Sequence, residues 1–277
     1  MTTSASCAVL VACLGAGATV SAGGARPVSS AALLAAARQM VVVTTADWSA
    51  VRGALALYER GPDDAWHEAR WRGAAAAAAP RVASIVVGKN GTAWDPGVAP
   101  PVAGPIKVEG DGRSPAGVFA LGTAFGFAGA ADASWLKLPY AAITPTLECV
   151  DDATSGAYNL LVDTTTATRD VDWKSSEKMR QIAPAYRWGV VVEYNTRPVV
   201  PGRGSCVFLH IGGEGGRGTA GCTAMTEPTL KDVMQWLDPD QAPVLVQLPL
   251  AAYAALRTAW NLPVLPAARL QPPAPGR

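Results

Sequence analysis

Short apolar runs separated by turn residues dominate the chain, which predicts strands rather than long helices. Residues 40–44 (MVVVT) form a β-branched run bounded by polar positions, and residues 54–59 (ALALYE) alternate before the turn signal Gly61-Pro62-Asp63-Asp64. Residues 81–88 (RVASIVVG) continue the pattern into Lys89-Asn90-Gly91, whose Asn-Gly pair fits a two-residue hairpin. Within residues 106–121 (IKVEGDGRSPAGVFAL), Pro115 and Gly117 mark a tight bend between two strand-like pieces. Further strands are expected at 158–163, 188–194 (WGVVVEY), 206–210 (CVFLH) and 244–248 (VLVQL). One segment has a helical period: in residues 227–237, Leu230, Val233, Met234 and Leu237 fall at i, i+3, i+4 and i+7, with Thr226 as cap and Pro228 in the first turn. This helix must lay its apolar face on a sheet. Residues 251–260 predict a second, shorter helix, followed by a Pro-rich tail at 272–277, and the six-alanine run at 74–79 reads as a tolerated insertion or a single helical turn.

Composition agrees with many short strands, because 28 Gly and 22 Pro in 277 residues follow no collagen-like period. A net charge of +1 with only 16% charged and 49% hydrophobic residues excludes a strongly basic nucleic-acid binder, an acidic tail protein and a disordered chain. No run of 18 apolar residues supports a membrane span. Residues 8–18 (AVLVACLGAGA) and the Val20-Ser21-Ala22 pattern read as a secretory signal over 1–22, which places the mature chain outside the cytoplasm. Leu10-Val11-Ala12-Cys13 also fits a lipobox, in which Cys13 would be acylated. Residues 23–39 are a flexible lead or a short helix, and order is expected from Met40.

Cleavage after Ala22 removes Cys7 and Cys13 and leaves Cys149, Cys206 and Cys222, an odd number. One pair can close in an oxidising compartment, and the retained thiol then asks for a chemical reason; three small buried hydrophobes is the plainer reading. Of the two histidines, His67 sits in a charged stretch (DDAWHEARW) and reads as a surface residue. His210 ends the CVFLH strand and opens a glycine-rich loop, residues 211–221, that delivers Cys222 just ahead of the helix. A loop folded back on itself brings imidazole and thiol together, and the helix N-terminus would further lower the thiol pKa. Gly221 would bend the backbone so that the amides of Cys222 and Thr223 face one space, an oxyanion hole. Without further information, each residue is as well explained by core packing. No metal site is expected from two histidines in unlike settings with no C-x-x-C pair. Residues 213–218 (GEGGRG) match G-x-G-x-x-G after a strand, but TAGCTAM intervenes before the helix, so the match reads as a glycine-rich loop.

The strings CVFLH and TAGCTAM together resemble the active-site signature of the L,D-transpeptidase (YkuD-like) catalytic domain family, in which a histidine precedes a Ser/Thr-x-Gly-Cys box. Residues 112–119 (GRSPAGVF) resemble the family's T-P-x-G-x-F turn, with Ser114 in the Thr position, and WLKLPY, ECVDD, SSEKM and YRWGVVVEYN resemble its exported or periplasmic members. The similarity spans about residues 40–248. It implies a catalytic domain over 40–250, with 251–277 a short helix and tail, and a mainly β fold: a curved mixed sheet or sandwich with one amphipathic helix and short peripheral helices. Cys222 would be the nucleophile and His210 its base and ion-pair partner, with Gly221, Thr219 and Thr223 shaping the box. Three positions depart from the common pattern: Ala220, Ala224 and Ile211. A backbone carbonyl in residues 211–213 would then have to orient the imidazole.

The resemblance implies cofactor-free acyl transfer on peptidoglycan stem peptides in the cell envelope, serving cell-wall biogenesis and cell shape. The acceptor would be a second stem peptide's amine, a lipoprotein, an exogenous D-amino acid or water. Cys149 and Cys206 are expected to pair, because Cys222 must stay free. Arg113, Trp173, Trp188 and Glu177 are candidates for the substrate groove. A sortase-like peptidase separates His and Cys more widely, and a papain-like one places Cys first. The non-catalytic alternative is a peptidoglycan-binding module with a degenerate site.

Overall fold

The computed structural model describes residues 29–69, 82–168 and 170–265. The leader, the alanine run and the Pro-rich tail lie outside them. Helix α1 (Ser30–Ala36) leads into β1 (Gln39–Thr45), β2 (Arg52–Arg60), β3 (Trp66–Glu68), β4 (Ala83–Val86), β5 (Thr92–Trp94) and the thirteen-residue β6 (Ser114–Gly126). Next come β7 (Tyr140–Ala142), β8 (Leu147–Val150), β9 (Leu161–Asp163), β10 (Ser176–Lys178), β11 (Trp188–Val192), β12 (Phe208–Ile211) and β13 (Thr223–Met225). Helix α2 (Glu227–Trp236), β14 (Val244–Pro249) and α3 (Leu250–Leu256) complete the order. The protein is mainly β.

Strand pairing runs β1-β14-β6-β11-β12-β13-β4-β2, and β2 pairs back onto β1. The sheet is therefore a closed eight-stranded ring, where the sequence suggested an open curved sheet or sandwich. Closure follows from β1, which satisfies both of its edges: Val42 lies opposite Ala56 on β2 and opposite Val246 on β14. Every ring strand sends a side chain into one cluster, for example Val41, Leu55, Ile85, Phe119, Val190, Leu209, Met225 and Leu245, so that cluster is the interior. Met40 and Val42 point the other way, beneath α1 and α3. Because both faces are covered, the MVVVT run is apolar throughout instead of alternating.

Helix α2 inserts Leu230, Val233 and Met234 into the interior cluster. Burying each contributes about 1.5–3 kcal/mol before entropy is counted. Glu227 in its first turn pairs with Lys231 at 2.9 Å and with Arg187 at 3.0 Å. Thr226 occupies the cap position, yet its hydroxyl donates to Thr229 Oγ1 instead of accepting a helix amide. Two other expectations change. Of the two readings for the segment before Met40 the short helix is the one found, over Ser30–Ala36, with Ser29 accepting the Ala32 amide and Leu34 buried, so order begins ahead of Met40. Pro115 and Gly117 lie inside β6 and not at a bend; the turn falls earlier, where Gly110 and Gly112 take positive φ. Proline is tolerated near a strand's start, where the missing N–H breaks little of the ladder.

On the outer face of β6, β11 and β12, residues 143–187 fold over Phe125 and Phe208, carrying the three-stranded sheet β10-β8-β9. A Cys149–Cys206 disulfide ties β8 of this cover to the segment entering β12. With a sequence separation of 57, the link removes about 4 kcal/mol of unfolded-chain entropy on the loop-closure model. Gly189 on β11 lies opposite His210, and a Cβ there would stand 2.2 Å from the Phe125 ring. Gly189→Ala is expected to cost about 1–3 kcal/mol through overpacking. A lowered urea midpoint with an unchanged m-value would verify it.

Candidate active site

The parallel pairing of β12 with β13 sets the site: Leu209 lies opposite Thr223 and His210 opposite Ala224. Side chains alternate along a strand, so Phe208 and His210 share a face while Leu209 points into the ring. Cys222, just ahead of β13, joins the same outer face: its Sγ accepts the Phe208 N–H at 3.3 Å and faces the Cys206 carbonyl at 3.3 Å. Its own carbonyl accepts two hydroxyls, from Thr219 at 2.6 Å and Ser114 at 2.8 Å, and Ser114 Oγ accepts the Gly88 amide at 2.9 Å. Thr219 Oγ1 also accepts the Gly221 amide at 3.1 Å. The Thr-x-Gly-Cys spacing thus clamps the backbone at Cys222, and Ser114 locks it to β6.

Cys222 is a free thiol at the floor of a cleft of about 190 Å³, whose walls include Gly221, Cys206, Lys107, Glu109 and Glu177. A larger cavity of about 870 Å³ opens between Asp95, Glu193, Arg203 and Trp260 and does not include Cys222; His210 lines neither cavity. We take the smaller cleft as the site because, of the two, it reaches the sulfur. The Lys107 ammonium, buried against Asp111 Oδ1 and the Val108 carbonyl at 2.7 Å each, favours the thiolate.

Burial, however, pushes the Cys222 thiol well above its ordinary range, and the Glu177 carboxylate adds to the push. Burial also lowers the His210 pKa. Both shifts disfavour the charged forms, so burial works against the expected thiolate–imidazolium pair. No helix N-terminus offsets this, because β13 separates Cys222 from α2. His210 Nδ1 lies 2.8 Å from the Ile211 carbonyl. A carbonyl only accepts, so Nδ1 carries the proton and Nε2 keeps its lone pair for use as a base. Residue 211 thus orients the ring through its backbone, and its apolar side chain is immaterial to that contact.

Tyr186 is the site residue the sequence did not single out. Its ring packs against His210 (centroids 5.4 Å), Phe208 (5.5 Å) and Phe125 (5.6 Å). Its hydroxyl donates to Glu177 Oε2 at 2.5 Å, and its ring belongs to the same buried cluster as Cys222. No spacing rule links residue 186 to a motif forty residues on; only the cover segment brings it there.

The remaining candidates separate. Glu177 lines the cleft, its carboxyl raised to about 7 by burial and by Asp151 and Glu109. Arg113 binds the Trp48 and Thr92 carbonyls at 3.0 and 3.1 Å, fixing the turn before β6. Trp173 donates to Glu148 at 2.9 Å beneath the small sheet. Trp188 packs in the interior cluster against Trp135. Thr223 turns inward to Gln247 Oε1 at 2.6 Å. Among the described residues, no group of three His, Cys, Asp or Glu side chains is placed to hold a metal ion, and no helix is long and apolar enough to cross a membrane. No family model matches the chain, and neither the curated proteins nor the solved structures include a match to it.

Proposed function

We propose that the chain is an exported cysteine acyltransferase of the L,D-transpeptidase type, with a YkuD-like catalytic domain over residues 40–250. The observation that carries this reading is the shared outer face of β12 and β13, where Cys222 opens to a cleft and His210 has its Nδ1 tied and its Nε2 free. Nε2 would take the thiol proton as sulfur attacks the carbonyl of a stem-peptide residue; the C–S bond forms. The imidazolium then protonates the departing D-Ala amine as the C–N bond breaks. An incoming amine, from a second stem peptide or a lipoprotein, would give its proton to Nε2 and displace the sulfur. Amides at Cys222 and Thr223 would hold the oxyanion. Because burial disfavours both charged forms, the proton would move when substrate excludes water and supplies the charge to be stabilised.

A second reading, a wall-binding module with an idle site, is favoured by the burial that disfavours both charged forms and by Ala220 and Ala224 at box positions. Incubation with disaccharide-tetrapeptide, followed by mass spectrometry of protein and products, separates the two. The transferase reading expects an acyl adduct on Cys222 and cross-linked or exchanged muropeptides. Binding to sacculi with no adduct would favour the module.

A further inference from the structure

The larger cavity collects polar groups that the fold itself leaves unpaired. Between Val190 and Val192 the pairing of β11 with β6 shifts register, and such an irregularity re-aims the side chains that follow it. Glu193 is one of them. Its amide bonds the Ala120 carbonyl at 2.9 Å, and its carboxylate lies over Gly122, where an added Cβ would stand 2.3 Å from Oε1. Asp95 brings a second carboxylate, whose Oδ1 accepts the Gly97 amide at 2.9 Å. Arg203 is exposed on the same cavity, and half-buried Trp260 forms part of its wall. Among the described residues, the side chains of Glu193 and Arg203 have no hydrogen bond or ion pair, and that of Asp95 has only the Gly97 bond.

The arrangement is preformed. Asn195 braces the loop that carries Arg203: its Nδ2 donates to the Val200 and Gly204 carbonyls at 3.0 and 2.9 Å, and its Oδ1 accepts the Val200 amide at 2.9 Å. The Tyr194 hydroxyl donates to the Arg203 carbonyl at 2.6 Å. We propose that this cavity is a carbohydrate site that takes a neutral oligosaccharide. Its volume of about 870 Å³ falls high in the range of about 300–1,000 Å³ for small-molecule sites, more than a free amino acid fills. Hydroxyls both donate and accept, so a sugar can give hydrogens to the Glu193 and Asp95 carboxylates and take them from Arg203 without bringing a charge of its own to desolvate. An ammonium would answer the carboxylates and face Arg203 as a like charge. The negative face of the Trp260 indole suits the polarised C–H face of a pyranose. The inference rests on the acyl-transfer reading only for the sugar's source, the glycan strand that carries the stem peptide.

Saturation-transfer NMR titrations of the full chain with chitobiose, cellobiose and D-alanyl-D-alanine test it. Chitobiose should bind with a Kd on the order of 1 mM. Cellobiose, which lacks the acetamides of a wall glycan, should bind more weakly; equal binding keeps the carbohydrate site and removes the wall as its source. Glu193→Gln keeps the shape but turns a charged acceptor into a neutral one, and should weaken chitobiose about tenfold. Trp260→Ala should weaken it by about as much. Neither residue lines the Cys222 cleft, so alkylation of Cys222 by iodoacetamide should keep its wild-type rate in both variants. No saturation by chitobiose at about 10 mM, or an unchanged affinity in Glu193→Gln, overturns the proposal. So does binding of the dipeptide with neither sugar, which marks a site for zwitterions instead. Sugar binding without any transfer on tetrapeptide would leave the site standing and remove the transferase, and transfer without sugar binding would do the reverse.

Discussion

Cys222→Ala should abolish both the covalent adduct and transfer, a loss of at least about 10⁴-fold if sulfur is the nucleophile. The fold should survive. Truncation leaves the Phe208 amide without its acceptor, which costs about 1–3 kcal/mol, while the backbone clamp at residue 222 uses Thr219 and Ser114 hydroxyls on the carbonyl and is untouched. Cys222→Ser is the better structural control, since its oxygen can still accept from Phe208. Both variants should keep the wild-type circular dichroism spectrum. Transfer at the wild-type rate by either one would rule out acyl transfer through this sulfur, whereas loss of activity together with loss of the spectrum would say only that the site is structural.

Much of this site was legible in the chain because it is local. The CVFLH strand, the glycine-rich return and the Thr-x-Gly-Cys spacing put His210 and Cys222 on adjacent strands, and adjacent strands place their side chains by a period of two. The helical period of residues 227–237 was equally readable, because Leu230, Val233 and Met234 leave one face no other use. What escaped is set by long-range contacts. Ring closure depends on β1 pairing with both β2 and β14, segments about 200 residues apart in the last case, and nothing in the run MVVVT distinguishes two covered faces in a barrel from two in a sandwich. The state of the thiol escaped for the same reason. A cysteine ahead of a helix reads as activated, but β13 intervenes and the cover segment buries the sulfur, so desolvation outweighs any dipole. Trp188 was open to two readings, a place on the substrate groove or strand packing, and strand alternation sends it into the interior cluster.

His210→Asn is expected to lower transfer by about 10²–10⁴-fold while preserving the site's shape, because an amide N–H can still donate to the Ile211 carbonyl but offers no lone-pair nitrogen. The same variant tests the resting charge state through stability. The native His210 pKa lies below the ordinary 6.5 of an exposed imidazole, so between those two values the unfolded chain binds a proton that the folded chain does not. Stability therefore falls as pH drops through 6.5, by at most about 1.4 kcal/mol per unit, and levels off below the native pKa. Glu177 works in the opposite direction: its native pKa of about 7 exceeds the unfolded value of 4.5, so its contribution is present at low pH and lost as pH rises through that window. The two slopes overlap just below pH 6.5, so the total alone decides nothing. The difference between wild type and His210→Asn, taken from urea titrations at each pH, isolates the histidine: wild type should lose stability relative to the variant as the solution is acidified. A difference that stays flat with pH would mean that folding leaves the His210 pKa unshifted, and one that widens in wild type's favour would mean that the fold stabilises the imidazolium, as the ion pair expected from its sequence context requires.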